Sequence, residues 1–226
     1  FVKNLILKLL FNMQVLTENK IAPKLRFDGF SVISEYLFGD IYSFISTNSF
    51  SREQLNYESG KVRNIHYGDI LTKFQSVFYL ENEYVPLINE NIDLSKYKDE
   101  SYCKIGDLIF ADASEDYSGI GTLIEIKSLN NELTLAGLHT IHARPTSNTI
   151  SVGFGTFLMK SWSVKYQIMK IAQGTKVLGI SSKRVAKIKL HIPPLQEQKK
   201  IASFLIAVDE KLQQFTKKKE LLEDYK

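Results

Sequence analysis

The sequence predicts an α+β fold in which a mostly β body precedes one long C-terminal helix. Three observations predict this fold. Short apolar or alternating runs, typical of strands, recur from residue 31 to about residue 191. One helical run interrupts them, and a heptad pattern follows two prolines in the last part of the sequence. These patterns divide the chain into a helical lead-in with a linker (residues 1–30), a single globular domain (31–192) and a helix (193–226).

The lead-in begins with an apolar, basic stretch that predicts a helix over residues 1–13, with Leu5, Ile6 and Leu9 on one side. Lysines interrupt the stretch, and no apolar run approaches the roughly 20 residues that span a bilayer. No cleavage-site pattern follows it. The linker is expected to be extended, with a turn at Gly29. We therefore expect a cytoplasmic protein with no membrane segment.

The body contains six runs that predict strands, many of them half-buried. They are GDIYSFIS (39–46), DILTKF (69–74), GDLIFA (106–111), GTLIEIK (121–127), ELTLAGLHTIHA (132–143) and KIKLHI (187–192). A helix is predicted over residues 156–173. Its apolar face would consist of Leu158, Trp162, Met169 and Ala172. Gly174 follows directly and suits a C-terminal cap.

The last helix is predicted from a heptad pattern. Pro193 and Pro194 are tolerated at a helix start and prevent an earlier one. Alternating steps of four and three residues connect Ile201, Leu205, Val208, Leu212, Phe215, Lys219 and Leu222. This pattern favours a coiled coil with a second helix over a helix that lies on its own domain. From residue 195 to residue 226 the helix would be about 48 Å long.

Charge is segregated along the chain, although the net charge is only +4. Residues 133–196 contain no Asp or Glu but nine Lys or Arg. Residues 81–132, just before this acid-free segment, contain twelve acidic and four basic residues. If the lysines of the acid-free segment share one face, that face would attract a polyanion. If they scatter and pair with the acidic block, they only add solubility, and charge alone leaves both readings open.

One pattern is typical of an enzyme. Asp112 is followed by Glu125 and Lys127, and many Mg²⁺-dependent nucleases hold their metal with an Asp and a Glu-x-Lys on two strands. The pattern is short, and GTLIEIK is also an ordinary amphipathic strand. His139 and His142 lie three residues apart in a predicted strand, so they would face opposite sides and bind one metal poorly. A nuclease is therefore kept only as the alternative function.

Other chemistry has little support in the sequence. Cys103 is the single cysteine, which excludes an intramolecular disulfide and a cysteine cluster for zinc. No patterned base lies beside it, so we expect an inert thiol. Neither a phosphate-binding loop nor a glycine-rich dinucleotide motif is present. We expect a binding module with no metal and no cofactor.

Basic and hydrogen-bonding residues gather in three loops, RNIHYGDI, LHTIHARP and GTKVLGISSKR, and such residues bind base edges and phosphates. We predict that these loops bind DNA through Arg63, His66, Tyr67, His139, Arg144, Thr175, Lys176, Ser181, Lys183 and Arg184. The predicted base readers are Arg63, His66, Arg144 and Thr175. The predicted phosphate contacts are Lys176 and Lys183.

Several stretches resemble the DNA specificity subunits of type I restriction–modification systems. IPPLQEQKKIASFLIAVDEKL is similar to a conserved region of that family. Blocks of one group of its target recognition domains resemble RNIHYGDI, GDLIFADASEDYSGIG, AGLHTIHARP and GTKVLGIS, and the segment that leads into such a domain resembles PKLRFDGF. The likeness covers nearly the whole chain in the right order. It also weakens the nuclease hypothesis, because Asp112 falls in a recognition-domain block.

The resemblance implies a non-catalytic subunit with a curved, mostly β target recognition domain and a conserved coiled-coil helix. Its partners would be double-stranded DNA and the methyltransferase and nuclease subunits of the same system. A whole subunit has two recognition domains, each reading half of a split target, whereas this sequence has one. Either it is the second half of a longer subunit, or it is a half-size subunit, starting for example at Met13, that pairs with a copy of itself. The second helix would come from the missing half or from the second copy. A pure interaction scaffold remains a third hypothesis, and binding to duplex DNA at low salt distinguishes it.

Overall fold

The structure, a computed structural model, describes residues 26–224, so the helix predicted over residues 1–13 lies outside the described residues. The strands are β1 (Ser34–Leu37), β2 (Tyr42–Ile45), β3 (Leu55–Asn56), β4 (Arg63–Ile65), β5 (Val77–Tyr79), β6 (Leu87–Ile88), β7 (Leu108–Ala111), β8 (Ala113–Ser114), β9 (Leu123–Ser128), β10 (Thr134–Ala136), β11 (Thr140–Pro145), β12 (Leu178–Gly179) and β13 (Lys189–Ile192). The α-helices are α1 (Phe38–Ile41), α2 (Tyr67–Thr72), α3 (Gly155–Lys160), α4 (Trp162–Ile171), α5 (Ser182–Val185) and α6 (Leu195–Asp224). Short 3₁₀ turns occupy Arg52–Gln54, Leu80–Asn82 and Asp99–Ser101. The predicted α+β class is confirmed.

A five-stranded sheet with the order β2-β11-β7-β9-β5 forms the centre of the body. Alternate residues of β7 enter two different hydrophobic cores, Leu108 and Phe110 on one face and Ile109 and Ala111 on the other. The first face packs against α1, α3, α4 and β13, and the second against α2. Because both faces are covered, β7 in the middle of the sheet is a continuous apolar run and is fully buried.

Smaller sheets extend this centre. A four-stranded sheet with the order β10-β4-β6-β3 carries its own core of Phe50, Val62, Ile88 and Leu135. A two-stranded sheet joins β12 to β8, and it attaches the end of the acid-free segment to the strand that follows β7. The structure therefore brings distant parts of the sequence together at the end of β7.

The first and last strands of the body pair with each other. β1 and β13 are antiparallel, with Ser34 opposite Ile192. Just outside them, the guanidinium of Arg26 binds both carboxylate oxygens of Glu197, which is buried in the first turn of α6. Gln198, also buried, accepts from the backbone of Ser151 at 2.8 Å. The body is thus closed at the place where the helix begins.

Two sequence predictions are corrected by the helices. The run DILTKF, predicted as a strand, belongs mostly to α2, because the ring of His66 caps the helix by accepting from the backbone N–H of Gly68. A six-residue run is too short for its period to separate strand from helix. The predicted helix over residues 156–173 is two helices, α3 and α4, because Ser161 between them is extended (φ −58°, ψ 147°).

The break at Ser161 also changes the predicted apolar face. Trp162 is half exposed, whereas Leu158 is buried. Helix α4 ends at Ile171 and its last cap is Ala172 in an extended conformation, so Gly174 is not the cap. Gly174 has a φ of +128° in the turn before β12, where an added Cβ would collide with the carbonyl oxygen of Val177. Glycine is needed for that turn.

Helix α6 has 30 residues, about 45 Å at 1.5 Å per residue, and confirms the predicted long C-terminal helix. Its first turns lie on the body, where Ala202 and Leu205 are buried. Its later turns are exposed, including Phe215 and Leu222. Among residues 26–224, no helix is both long and apolar enough to cross a membrane.

Candidate functional site

The three predicted loops meet around Asp112, the residue that follows β7. Its backbone N–H donates to the carbonyl of His139 at 3.0 Å, and its own carbonyl accepts from Ile180 at 2.8 Å. These bonds join LHTIHARP and GTKVLGISSKR at one end of the central sheet. The third loop, RNIHYGDI, arrives through Tyr67, whose ring lies edge-on to that of His139 with centroids 5.3 Å apart.

His139 is the most exposed aromatic group of this junction. Its φ is +55°, in the left-handed region that few non-glycine residues adopt. Its Nδ1 lies 3.3 Å from Oδ1 of Asp112, and the side chain is 53% exposed. The pair extends the ladder of β11 and β7, in which Thr140 is opposite Ala111. Burial raises the pKa of Asp112, and the contact with His139 lowers it only in part.

The turn before β12 and the segment from Ser181 into α5 supply exposed hydrogen-bonding and basic groups beside this junction. Thr175, Lys176, Ser181 and Lys183 are all exposed. Arg184 is half-buried, and its guanidinium donates to the carbonyl of Ile171 at 3.1 Å. The junction of Tyr67, His139, Thr175, Lys176, Ser181 and Lys183 is called the loop face below.

His66 has a structural task in the same region. It is buried, and its Nδ1 accepts from Gly68 at 3.1 Å. Burial and the nearby Arg52 lower its pKa to about 4, so the ring is neutral at physiological pH. The capping bond uses the acceptor nitrogen and little of the ring reaches the surface. His66 is therefore poorly placed to read a base.

Arg63 and Arg144 are engaged within the fold, away from the loop face. Arg63 donates to Glu132 at 2.7 Å and to the carbonyl of Val85 at 2.9 Å. The guanidinium of Arg144 donates to both carboxylate oxygens of Asp107, at 3.0 and 2.8 Å, and also to two backbone carbonyls. Base reading by either arginine would require these bonds to be broken.

Asp107 organises a second histidine. Nε2 of His142 lies 2.6 Å from Oδ2 of Asp107, and both side chains are fully buried. His139 and His142 thus have different aspartate partners. Within residues 26–224, no group of three His, Cys, Asp or Glu side chains could hold a metal ion. Cys103 is buried, and burial raises the pKa of its thiol well above the usual range, which fits the expected inert thiol.

The nuclease pattern does not assemble. Glu125 is opposite Leu108, at the far end of β7 from Asp112, so the backbone positions of the two residues are about 13 Å apart along the strand direction. Glu125 is buried and accepts from the backbone N–H groups of Gly153 at 2.5 Å and Thr156 at 2.8 Å. Glu125 therefore anchors the start of α3. Asp112 is too far from Glu125 and Lys127 to form a metal site with them.

The helix seam is corrected in its first half. Leu205 is 2% exposed and packs with Val77 and Phe157 of the body, and Ile201 packs against the same cluster. Their prediction as contacts to a second helix is therefore wrong, because the body of the same chain covers them. The seam that remains exposed or half-exposed consists of Phe204, Val208, Leu212, Phe215 and Leu222. Phe204 was missed, although its spacing of four residues to Val208 fits the pattern.

The sequence also missed the roles of Asp112 and Asp107. Asp112 was considered only as a metal ligand, and Asp107 was not considered. A signal existed, because both aspartates flank the apolar strand β7, and His139 and His142 flank or lie in the long strand β11. Pairing them required the register of β7 and β11, which a single sequence does not give.

Comparisons with known proteins agree with this fold. A family model described as the type I restriction modification DNA specificity domain matches residues 35–223. The putative type I restriction enzyme MjaX specificity subunit of Methanocaldococcus jannaschii is 29% identical over 132 residues, which is 58% of this chain and 29% of that protein.

Solved structures of similar fold include the S subunit of a type I restriction-modification system from M. genitalium, with a TM-score of 0.57 and 14% identity over 87% of this chain and 44% of that one. The HsdS subunit from Thermoanaerobacter tengcongensis gives a TM-score of 0.59 and 12% identity over 96% of this chain and 45% of that one. The chain spans under half the length of either protein. Since the family model covers residues 35–223, the chain belongs to the family of type I restriction modification DNA specificity domains.

Proposed function

We propose that this chain is a non-catalytic specificity subunit, or half of one, that reads one half of a split target in duplex DNA. One observation carries the proposal beyond family membership. The loop face gathers exposed hydrogen-bonding and basic side chains from three separate parts of the sequence, and its basic residues come from the acid-free segment. Such a surface attracts phosphates and offers donors and acceptors to base edges.

The exposed residues divide by chemistry. His139 and Thr175 have short polar side chains suited to base edges, whereas Lys176 and Lys183 have long side chains that reach phosphates. Arg63, His66 and Arg144 are engaged in contacts inside the fold. In this proposal they shape the loops, and they read no base themselves.

The distal part of α6 would serve assembly. A seam of Phe204, Val208, Leu212, Phe215 and Leu222 remains available along a helix whose first turns are fixed to the body. We propose that a second helix covers this seam, supplied by another copy or by a further part of a longer subunit. The paired helices would then dock onto the methyltransferase and nuclease subunits.

The salt dependence of DNA binding tests the loop face. Each phosphate neutralised by a lysine contributes about −0.9 to the slope of log affinity against log salt concentration. Changing Lys176 or Lys183 to Ala should therefore flatten the slope by about one unit for each substitution. The matched control is Lys98→Ala, which removes an exposed lysine in the acidic block and should leave the slope unchanged.

The slope would be measured by fluorescence anisotropy on labelled duplexes over a range of salt concentrations. An unchanged slope in the double variant would place the DNA on another surface. Failure of the wild-type chain to bind any duplex at low salt would favour an interaction scaffold. Cleavage of duplex DNA by the purified chain with Mg²⁺ would contradict the non-catalytic assignment.

A further inference from the structure

The pair formed by His139 and Asp112 has a chemical consequence for base reading. A neutral imidazole carries one proton, and its two nitrogens differ in whether they donate or accept a hydrogen bond. The side chain of Asp112 is 29% exposed, and its Oδ1 faces the ring of His139. An ionised carboxylate only accepts, and the nitrogen that faces it must therefore carry the proton.

The facing nitrogen is Nδ1, which lies 3.3 Å from Oδ1 of Asp112. In the neutral ring this contact favours the proton on Nδ1, which leaves Nε2 as an acceptor. Nε2 makes no hydrogen bond to any side chain or backbone group within the described span of the chain. Over half of the side chain is exposed, and Nε2 is available to an incoming ligand.

The ring is also held in place before any ligand arrives. Tyr67 lies edge-on to it, with an interplanar angle of 75°. The backbone of His139 is fixed in its left-handed conformation by the bond from Asp112 and by the hydroxyl of Thr140, which donates to the carbonyl of Gly137 at 2.6 Å. A ring fixed in orientation and tautomer loses little entropy on binding and discriminates well between donors and acceptors.

We infer that Asp112 is a positioning residue that keeps Nε2 of His139 an acceptor, and that this nitrogen reads the exocyclic amino group of an adenine or cytosine in the major groove. In that groove adenine presents the N6 amino group and cytosine the N4 amino group, whereas guanine and thymine present carbonyl oxygens at the corresponding positions. An acceptor is attracted to the first two bases and repelled by the others. The inference rests on the proposed function and names the base class that one residue of the loop face recognises.

The test uses the full chain and the duplex that it selects from a randomised pool. Each adenine of that duplex is replaced in turn by purine, which lacks the 6-amino group, and each cytosine by 2-pyrimidinone, which lacks the 4-amino group. The wild-type chain should lose about three- to tenfold in affinity at one position, the effect of one net hydrogen bond. His139→Gly should bind the unmodified duplex more weakly by the same factor and show no further loss at that position.

Glycine is chosen because it adopts the +55° φ of His139 without strain, so the variant removes the ring and keeps the turn. Asp112→Asn tests the positioning role, since an amide can donate to Nδ1 as well as accept from it. We expect this variant to lose most of the discrimination at the same position. Glu115→Gln removes an exposed carboxylate of the same charge three residues away and should behave as wild type.

Several results would overturn the inference. Additive losses for His139→Gly and the analogue would mean that His139 does not read that amino group. Wild-type discrimination in Asp112→Asn would mean that the carboxylate does not set the tautomer. Guanines can likewise be replaced by inosine, which lacks the 2-amino group. If the losses from inosine and from His139→Gly are not additive, the contact lies in the minor groove. If the wild-type chain selects no sequence, the proposed function fails first, and this result differs from selection that is indifferent to His139.

Discussion

Two histidine–aspartate pairs lie near opposite ends of β7 and its neighbour β11, and they differ in burial. His142 and Asp107 are fully buried and 2.6 Å apart, whereas His139 and Asp112 are partly exposed and 3.3 Å apart. Burial raises the pKa of Asp107, but bonds from His142 and Arg144 outweigh it and the pKa is lowered. Burial also raises the pKa of Asp112, whose single histidine contact does not reverse the shift. The same residue types therefore stabilise the fold at one end of β7 and are available to a ligand at the other.

The largest expected effect comes from neutralising the buried aspartate. Asp107→Asn leaves Arg144 without its counter-ion and should lower the free energy of unfolding by roughly 3–5 kcal/mol. Asp112→Asn is the matched change at the exposed pair and should cost less than about 1 kcal/mol. Urea denaturation followed by circular dichroism measures both values. Equal losses for the two variants would remove the distinction between the pairs.

The same contrast extends along α6. Leu205→Ala should lower the free energy of unfolding by roughly 2–5 kcal/mol, because the buried side chain leaves a cavity beside Val77 and Phe157. Phe215→Ala should change it by less than about 0.5 kcal/mol, because this side chain is 63% exposed. Light scattering should instead show weaker assembly of the Phe215 variant with its helix partner. A Leu205 variant that keeps its stability but fails to assemble would contradict the correction made to the seam.

A smaller, pH-dependent effect is expected from Glu125, a buried acid that lacks a bonded cation like that of Asp107. Burial raises its pKa to about 7 from an ordinary value of 4.5. The folded state then holds a proton that the unfolded state releases, so stability should fall as pH rises from 4.5 to 7, by at most about 3 kcal/mol. Glu125→Gln should flatten this part of the curve, with Glu115→Gln as the exposed control. An unchanged pH profile would mean that Glu125 titrates normally.

Much of the fold was predictable because its signals are local. Runs of apolar residues predicted the strands β7 and β9, and the heptad pattern after two prolines predicted the helix α6. These signals depend only on residues that are close in sequence. The helix α2 was missed because its run is short and its start is stabilised by one capping side chain, that of His66. The break at Ser161 was missed because an apolar period continues across it.

The site was predictable in composition but only partly in geometry. The three loops were identified from their residue types, and the structure brings parts of all three together around Asp112. Which basic residues remain exposed depends on partners far away in sequence, such as Glu132 for Arg63 and Asp107 for Arg144. Those partners are set by strand register, and the sequence contains no local signal for it.

The closure between β1 and β13, fastened by Arg26 and Glu197, has a consequence for how such a domain can be inherited. The chain enters and leaves the body at one place, where β1 pairs with β13 and where Arg26 binds Glu197, 171 residues away in sequence. A domain whose first and last residues lie side by side can be replaced by another domain with the same spacing between its ends, and the helix that follows does not move. If the body reads DNA as proposed, its target could therefore change by replacing residues 34–192 while α6 stays the same.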